Sequence, residues 1–85
     1  MALPLKDLRA QVLRFLTGEL KVPGADLHPD APLVTTGLLD SVALVRLAAF
    51  LERRLGIHIP DRDITVEHFE SIRCIEAYVE RRRGG

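Results

Sequence analysis

Residues 21–40 constrain the fold more than any other stretch: Lys-Val-Pro-Gly-Ala-Asp-Leu-His-Pro-Asp-Ala-Pro-Leu-Val-Thr-Thr-Gly-Leu-Leu-Asp. Three prolines and two glycines here forbid a regular helix or strand. Yet Leu27, Leu33, Val34, Leu38 and Leu39 are apolar, so the segment is expected to lie pinned on a core. Connections longer than about 12–15 residues are uncommon in compact domains and are often functional. The chain has 85 residues, enough for one small domain. The remaining elements must therefore pack around this loop and leave room for it. A single domain over residues 1–85 is expected, with 3–82 as its ordered part and a stability of only a few kcal/mol.

Helical patterns flank the loop. Before it, Leu5, Leu8, Val12, Phe15 and Leu16 recur at three- and four-residue spacings, which predicts a helix from about Pro4 to Leu20. Pro4 suits a first turn, where its missing N–H would be unpaired anyway. Gly18 weakens the end and Pro23-Gly24 stops it. After the loop, a second helix is predicted from Asp40 or Ser41, both good capping residues, to Leu55, with Gly56 as its C-terminal cap. Asp61 and Thr65 are cap candidates for a short turn around Val66 to His68. Ile72, Ile75, Tyr78 and Val79 predict a last helix from Ser71 to Arg82, with Phe69 packing just before it and Gly84 breaking it. The expected fold is all-α: a small four-helix bundle, three main helices plus one short one.

On a wheel at about 100° per residue, Leu44, Leu47, Ala48, Leu51 and Leu55 share one broad face of the second helix. The opposite face carries Val42, Arg46, Ala49 and Arg53, with Phe50 and Ala43 at its edge. It holds fewer polar positions than a solvated face normally does. Two readings follow. Either the face docks partners through apolar contact flanked by charge, or the long loop covers Val42 and Phe50 and leaves only the arginines outside.

Twelve basic and twelve acidic residues cancel, which argues against a nucleic-acid footprint. Arg81, Arg82 and Arg83 read as a solvated helix end, where cations suit the dipole. The single cysteine, Cys74, excludes an internal disulfide and a cysteine metal cluster, and it reads as a small packing residue. His28, His58 and His68 lack metal-ligand spacing. Asp61, Asp63 and Glu67 are too few for a calcium loop. No carboxylate pair and no Ser/His/Asp arrangement suggests catalysis. Without a signal peptide or an apolar run near the ~20 residues of a membrane span, a cytoplasmic monomer is expected, binding neither nucleic acid nor membrane.

The stretch from Leu33 to Leu47, with Gly37-Leu38-Leu39-Asp40-Ser41 at its centre, resembles the phosphopantetheine site of acyl carrier proteins. The run Phe50 to Asp61, including Ile59-Pro60-Asp61, looks like that family's helix-two end and following loop. Phe69, Ile72 and Ile75 match the start of its last helix. The resemblance covers about residues 3 to 80. A bare Asp-Ser pair is common; the whole-chain pattern is what singles out Ser41, which by itself reads as a helix cap. Two departures stand out. Val42 follows the serine, where Leu or Met is more usual, and Arg46, Arg53 and Arg54 occupy places where acidic residues are usual.

The resemblance implies a non-enzymatic carrier. A phosphopantetheinyl transferase would attach 4′-phosphopantetheine to Ser41, with Asp40 capping the helix or contacting the transferase and its metal. Acyl or aminoacyl groups would then ride as thioesters, supplied by an amino acid or acyl ligase and passed to an acyl-accepting enzyme. The arginines would repel a basic docking patch of the fatty acid synthesis type. The Leu-Leu-Asp-Ser-Val start looks more like stand-alone aminoacyl carriers served by a dedicated adenylating ligase in a specialised biosynthetic pathway. The alternatives are an unmodified helical interaction domain using the Arg46 and Arg53 face, and a small nucleic-acid-binding bundle, which zero net charge disfavours.

Overall fold

The computed structural model describes residues 5–84, which form four α-helices around one apolar core. Helix α1 spans Leu5–Arg14, α2 Ser41–Leu55, α3 Val66–Phe69 and α4 Ile72–Gly84. This is the expected all-α bundle with one short helix. Pro4 and Gly85 lie outside the described residues. Gly84 does not break α4 but belongs to its last turn.

The helices bury most of the stripe their spacing predicts; Leu55 is only half-buried, and the side chain of Leu5 lies outside the described residues. Leu8, Val12, Phe15 and Leu16 come from the first helical segment, Leu44, Leu47, Ala48 and Leu51 from α2, and Ile72, Ile75, Tyr78 and Val79 from α4. Phe69 enters the same core from α3, although α3 is a single turn. The end of the first helix departs from a plain α-helix. Residues Phe15–Glu19 make a π-helical turn, and Lys21 is the one non-glycine residue with positive φ (61°) among those described. Phe15, at the start of this turn, stacks on Phe50, with ring centroids 4.4 Å apart.

The proline-rich segment is pinned as its apolar residues require. Ala31, Leu33 and Leu39 are buried, and Val22 with them. Leu39 N donates to Leu33 O at 2.9 Å, closing a loop on itself, and Gly37 reverses the chain inside it at φ 82°. The outer strap of the segment is tied to α4. Arg73 N donates to Pro29 O at 3.0 Å, and Arg73 Nε donates to Asp30 Oδ1 at 2.6 Å.

Polar side chains link the helix ends. Arg9 donates twice to the Glu76 carboxylate, each at 2.7 Å, joining α1 to α4. Tyr78 donates its hydroxyl to Asp63 Oδ2 at 2.7 Å. Burial of the phenol, with that anion beside it, pushes the Tyr78 pKa up to about 12. Arg82 reaches back to the carbonyl of His58 at 2.8 Å, so part of the basic helix end holds the α2–α3 connection in place.

Candidate functional site

The start of α2 lies where the closed loop ends. Asp40 is the N-cap: its backbone is extended and its Oδ1 accepts from Ala43 N at 2.8 Å. Its carbonyl accepts the first helical bond, from Leu44 N at 2.9 Å. Asp and Ser both suit a cap, and the backbone gives that role to Asp40. Ser41 is thereby relieved of it. It becomes the first residue inside the helix, exposed, and its hydroxyl has no hydrogen-bond partner among the described residues.

This placement suits a serine that carries an anionic ester. The N–H groups of Ser41 and Val42 also lack partners among the described residues, as the first amides of a helix do. They add to the positive end of the helix dipole, which favours a phosphodiester there. A shallow recess of about 330 Å³ opens beside the helix start, with Lys21, Leu38, Asp40, Val42, Ala43 and Arg46 among its walls. The chain thus presents an accessible hydroxyl and unpaired amides at a helix start, and in the recess beside it Lys21 and Arg46 are balanced by Glu19 and Asp40. Asp40→Ala is expected to remove the cap and cost about 1 kcal/mol, read as a lower urea midpoint with unchanged m-value. A loss under ~0.3 kcal/mol would contradict the capping role.

The candidate docking residues separate in space. Val42 is 67 % exposed and Arg46 and Arg53 are exposed, so the loop does not cover Val42. Ala49 and Phe50 are half-buried, Phe50 against Phe15 rather than under the loop. Arg54 lies over the outer side of the Phe50 ring at 5.7 Å. Arg46 also comes within 3.9 Å of Glu19 on the π-helical turn. The wheel left out Val45, which is 57 % exposed and widens the apolar part of this face. His58 lies 3.2 Å from Glu52, and His68 tilts against Tyr78; neither approaches the α2 start in these contacts. Cys74 is half-buried, and its amide donates to the capping hydroxyl of Ser71.

One residue that the sequence did not single out holds the site from behind. Glu70, between α3 and α4, accepts from Val34 N at 2.7 Å, from Thr35 N at 3.0 Å and from the Thr35 hydroxyl. Its own carbonyl accepts from Leu33 N at 2.7 Å. The Thr35 hydroxyl, followed by these amides, holds the Glu70 carboxyl below its usual pKa. Nothing in the local sequence announces this bond, because its partners are 35 and 36 positions away.

The fold and the exposed first-turn serine define a class: small helical domains that present one hydroxyl at a helix start. Comparison with known proteins makes the class specific. The family described as the phosphopantetheine attachment site matches residues 10–79. Aminoacyl carrier protein 1 of Bradyrhizobium diazoefficiens is 33 % identical over 75 residues, covering 86 % of this chain and 82 % of that protein. Aminoacyl carrier protein 2 of the same organism is 33 % identical over 60 residues, 71 % of this chain and 66 % of that protein. An acyl carrier protein of Solidesulfovibrio magneticus is 26 % identical over 74 residues, 87 % of this chain and 92 % of that protein. This chain belongs to the phosphopantetheine attachment-site family. It is a carrier with a covalent 4′-phosphopantetheine group, a substrate of other enzymes rather than a catalyst. No helix among the described residues is long and apolar enough to cross a membrane.

Proposed function

We propose that Ser41 bears the phosphopantetheine arm and that the chain acts as a single-domain aminoacyl carrier in the cytoplasm, loaded by a dedicated adenylating ligase. The observation that carries the site is the division of labour at the helix start. Asp40 caps and Ser41 does not, so the Ser41 hydroxyl is free to react. When bound, the arm supplies the thiol on which cargo is held as a thioester; Cys74, half-buried in α4, is not needed for that. The chain contributes position and recognition. Asp40 fixes the first turn, the unpaired amides favour the ester's negative charge, and its exposure leaves Ser41 open to a transferase.

Two things support the aminoacyl reading over fatty acyl cargo: the names of two relatives and the charge of α2. Arg53 and Arg54 occupy its last turn and Arg46 its outer face. A loading enzyme is expected to meet Val42, Val45, Arg46 and Arg53 with apolar and acidic groups, because complementary charge steers encounter and like charge opposes it. Phe50, packed on Phe15, supports this surface from its edge and Ala49 keeps it low.

Arg46→Glu combined with Arg53→Glu is therefore expected to raise the KM of the loading ligase for the holo carrier about tenfold or more at low salt. The ratio to wild type should shrink as salt is added. Circular dichroism should show the helices intact, since both side chains lie outside the core. Unchanged kinetics with every loading and accepting enzyme would contradict a docking role for this face.

A further inference from the structure

We propose that Glu70 is the positioning residue for Ser41, its carboxylate fixing the closed turn of residues 33–39 that delivers the serine to the transferase. The proposal rests on Ser41 as the site of attachment.

The turn has two halves, held by different means. Its C-terminal half is anchored by burial, because Leu39 is 1 % exposed and its N–H closes onto Leu33 O. Asp40 and Ser41 follow directly. Its N-terminal half, Val34 and Thr35, lies nearer the surface. The two amide N–H groups have no backbone acceptor among the described residues, and such groups need a partner. Glu70 supplies both acceptors from Oε1 and takes the Thr35 hydroxyl on Oε2. Successive N–H groups converging on one anion form a charge-assisted clasp, stronger than a neutral pair.

The post itself is rigid. Phe69 and Ser71, on either side of Glu70, are 0 % and 7 % exposed, so the backbone bearing the carboxylate is locked into the core. Leu33 N donates to the carbonyl of the same residue. One position in the α3–α4 corner thus grips three consecutive residues of the turn. Gly37 then reverses the chain, and five residues lead from the clasp to Ser41: Thr36, Gly37, Leu38, the buried Leu39 and the capping Asp40. Positioning of a nucleophile is sensitive to shifts of about 1 Å, which can cost on the order of 100-fold in rate. A loosened turn should therefore act on Ser41 without touching the docking face.

The test is phosphopantetheinylation of full-length apo protein, followed by intact mass and by amide hydrogen exchange. For Glu70→Ala, the proposal expects kcat of the transferase with this carrier to fall about tenfold or more, with KM within about twofold of wild type. Exchange should accelerate at Val34 and Thr35 and stay unchanged in the buried stripes of α2 and α4. Glu70→Gln keeps one oxygen for the two amides and can donate to the Thr35 hydroxyl, so it should recover most of the rate. Thr35→Ala, a gentler change, should lower kcat about threefold, and it carries the test if Glu70→Ala unfolds by circular dichroism. A wild-type kcat in Glu70→Ala, or in Thr35→Ala where that variant must stand in, would overturn the proposal. So would a glutamine variant as slow as the alanine one, or an effect on KM alone. If wild-type protein accepts no arm, Ser41 itself fails as the site, and unchanged exchange at Val34 and Thr35 in Glu70→Ala would dispose of the clasp separately.

Discussion

Replacing Ser41 by alanine is expected to abolish attachment of the arm completely while changing the stability of the fold by less than about 0.5 kcal/mol. The two halves of this expectation come from one observation. The cap that stabilises the start of α2 is Asp40, whose Oδ1 accepts from Ala43 N at 2.8 Å. Ser41 stands one residue further on, exposed, with its hydroxyl unbonded among the described residues. Exposed substitutions that remove no packing and no cap usually cost little, and alanine is the best helix former at such a position. Thermal melts of the two apo proteins should coincide within a few degrees. If Ser41→Ala lost a full ~1 kcal/mol, serine would be contributing as a cap, and the division of labour at the helix start would be wrong.

The largest effect on stability is expected from Phe69→Ala. Phe69 is wholly buried, yet it sits on α3, a helix of four residues that could not persist alone. Its ring lies 6.0 Å from that of Tyr78 and belongs to the single core shared by all the helices. Deleting a buried phenylalanine side chain typically costs about 3–5 kcal/mol, through lost transfer energy and the cavity left behind. A fold of this size is stabilised by only a few kcal/mol, so this one change should consume most or all of the total. Urea unfolding followed by circular dichroism should show the midpoint falling by half or more, or no native baseline at all. A loss under about 1 kcal/mol would mean that α3 is peripheral and that Phe69 does not join the helices into one unit.

Much of this molecule was legible in the sequence, for physical reasons that can be named. The stripes of α1, α2 and α4 follow helical periodicity, and burial of Leu8, Val12, Leu47, Leu51, Ile72 and Ile75 is what that periodicity means. The pinned loop was legible because leucines amid prolines must go somewhere dry, and Leu33 and Leu39 are indeed in the core. Gly56 caps α2 in the left-handed conformation its position called for.

What was not legible depends on contacts between distant parts of the chain. The π-helical turn at Phe15–Glu19 exists where Phe15 meets Phe50, a partner 35 positions away, and no local pattern encodes that stacking. Asp40 and Ser41 are equally good caps by composition, and only the backbone path out of the closed loop chooses between them. Glu70 did not stand out in the sequence, because the donors it satisfies lie in the loop before α2. The wheel gave the core side of α2 correctly but not the boundary of the exposed side. Val45 proved open, and Phe50 closed on Phe15 of the π-helical turn.

The most direct test of the central claim is peptide mapping of the modified protein. Apo protein is incubated with coenzyme A and a promiscuous transferase, digested after Lys and Arg, and the peptides are fragmented in the mass spectrometer. The tryptic segment 22–46 contains Thr35, Thr36 and Ser41, so it brings the rival hydroxyls of the loop together with the proposed one. The account predicts a single phosphopantetheine per chain, on Ser41, and none on the Ser41→Ala protein. An arm found on any other residue, or no mass gain with a transferase shown to be active on another carrier, would contradict it.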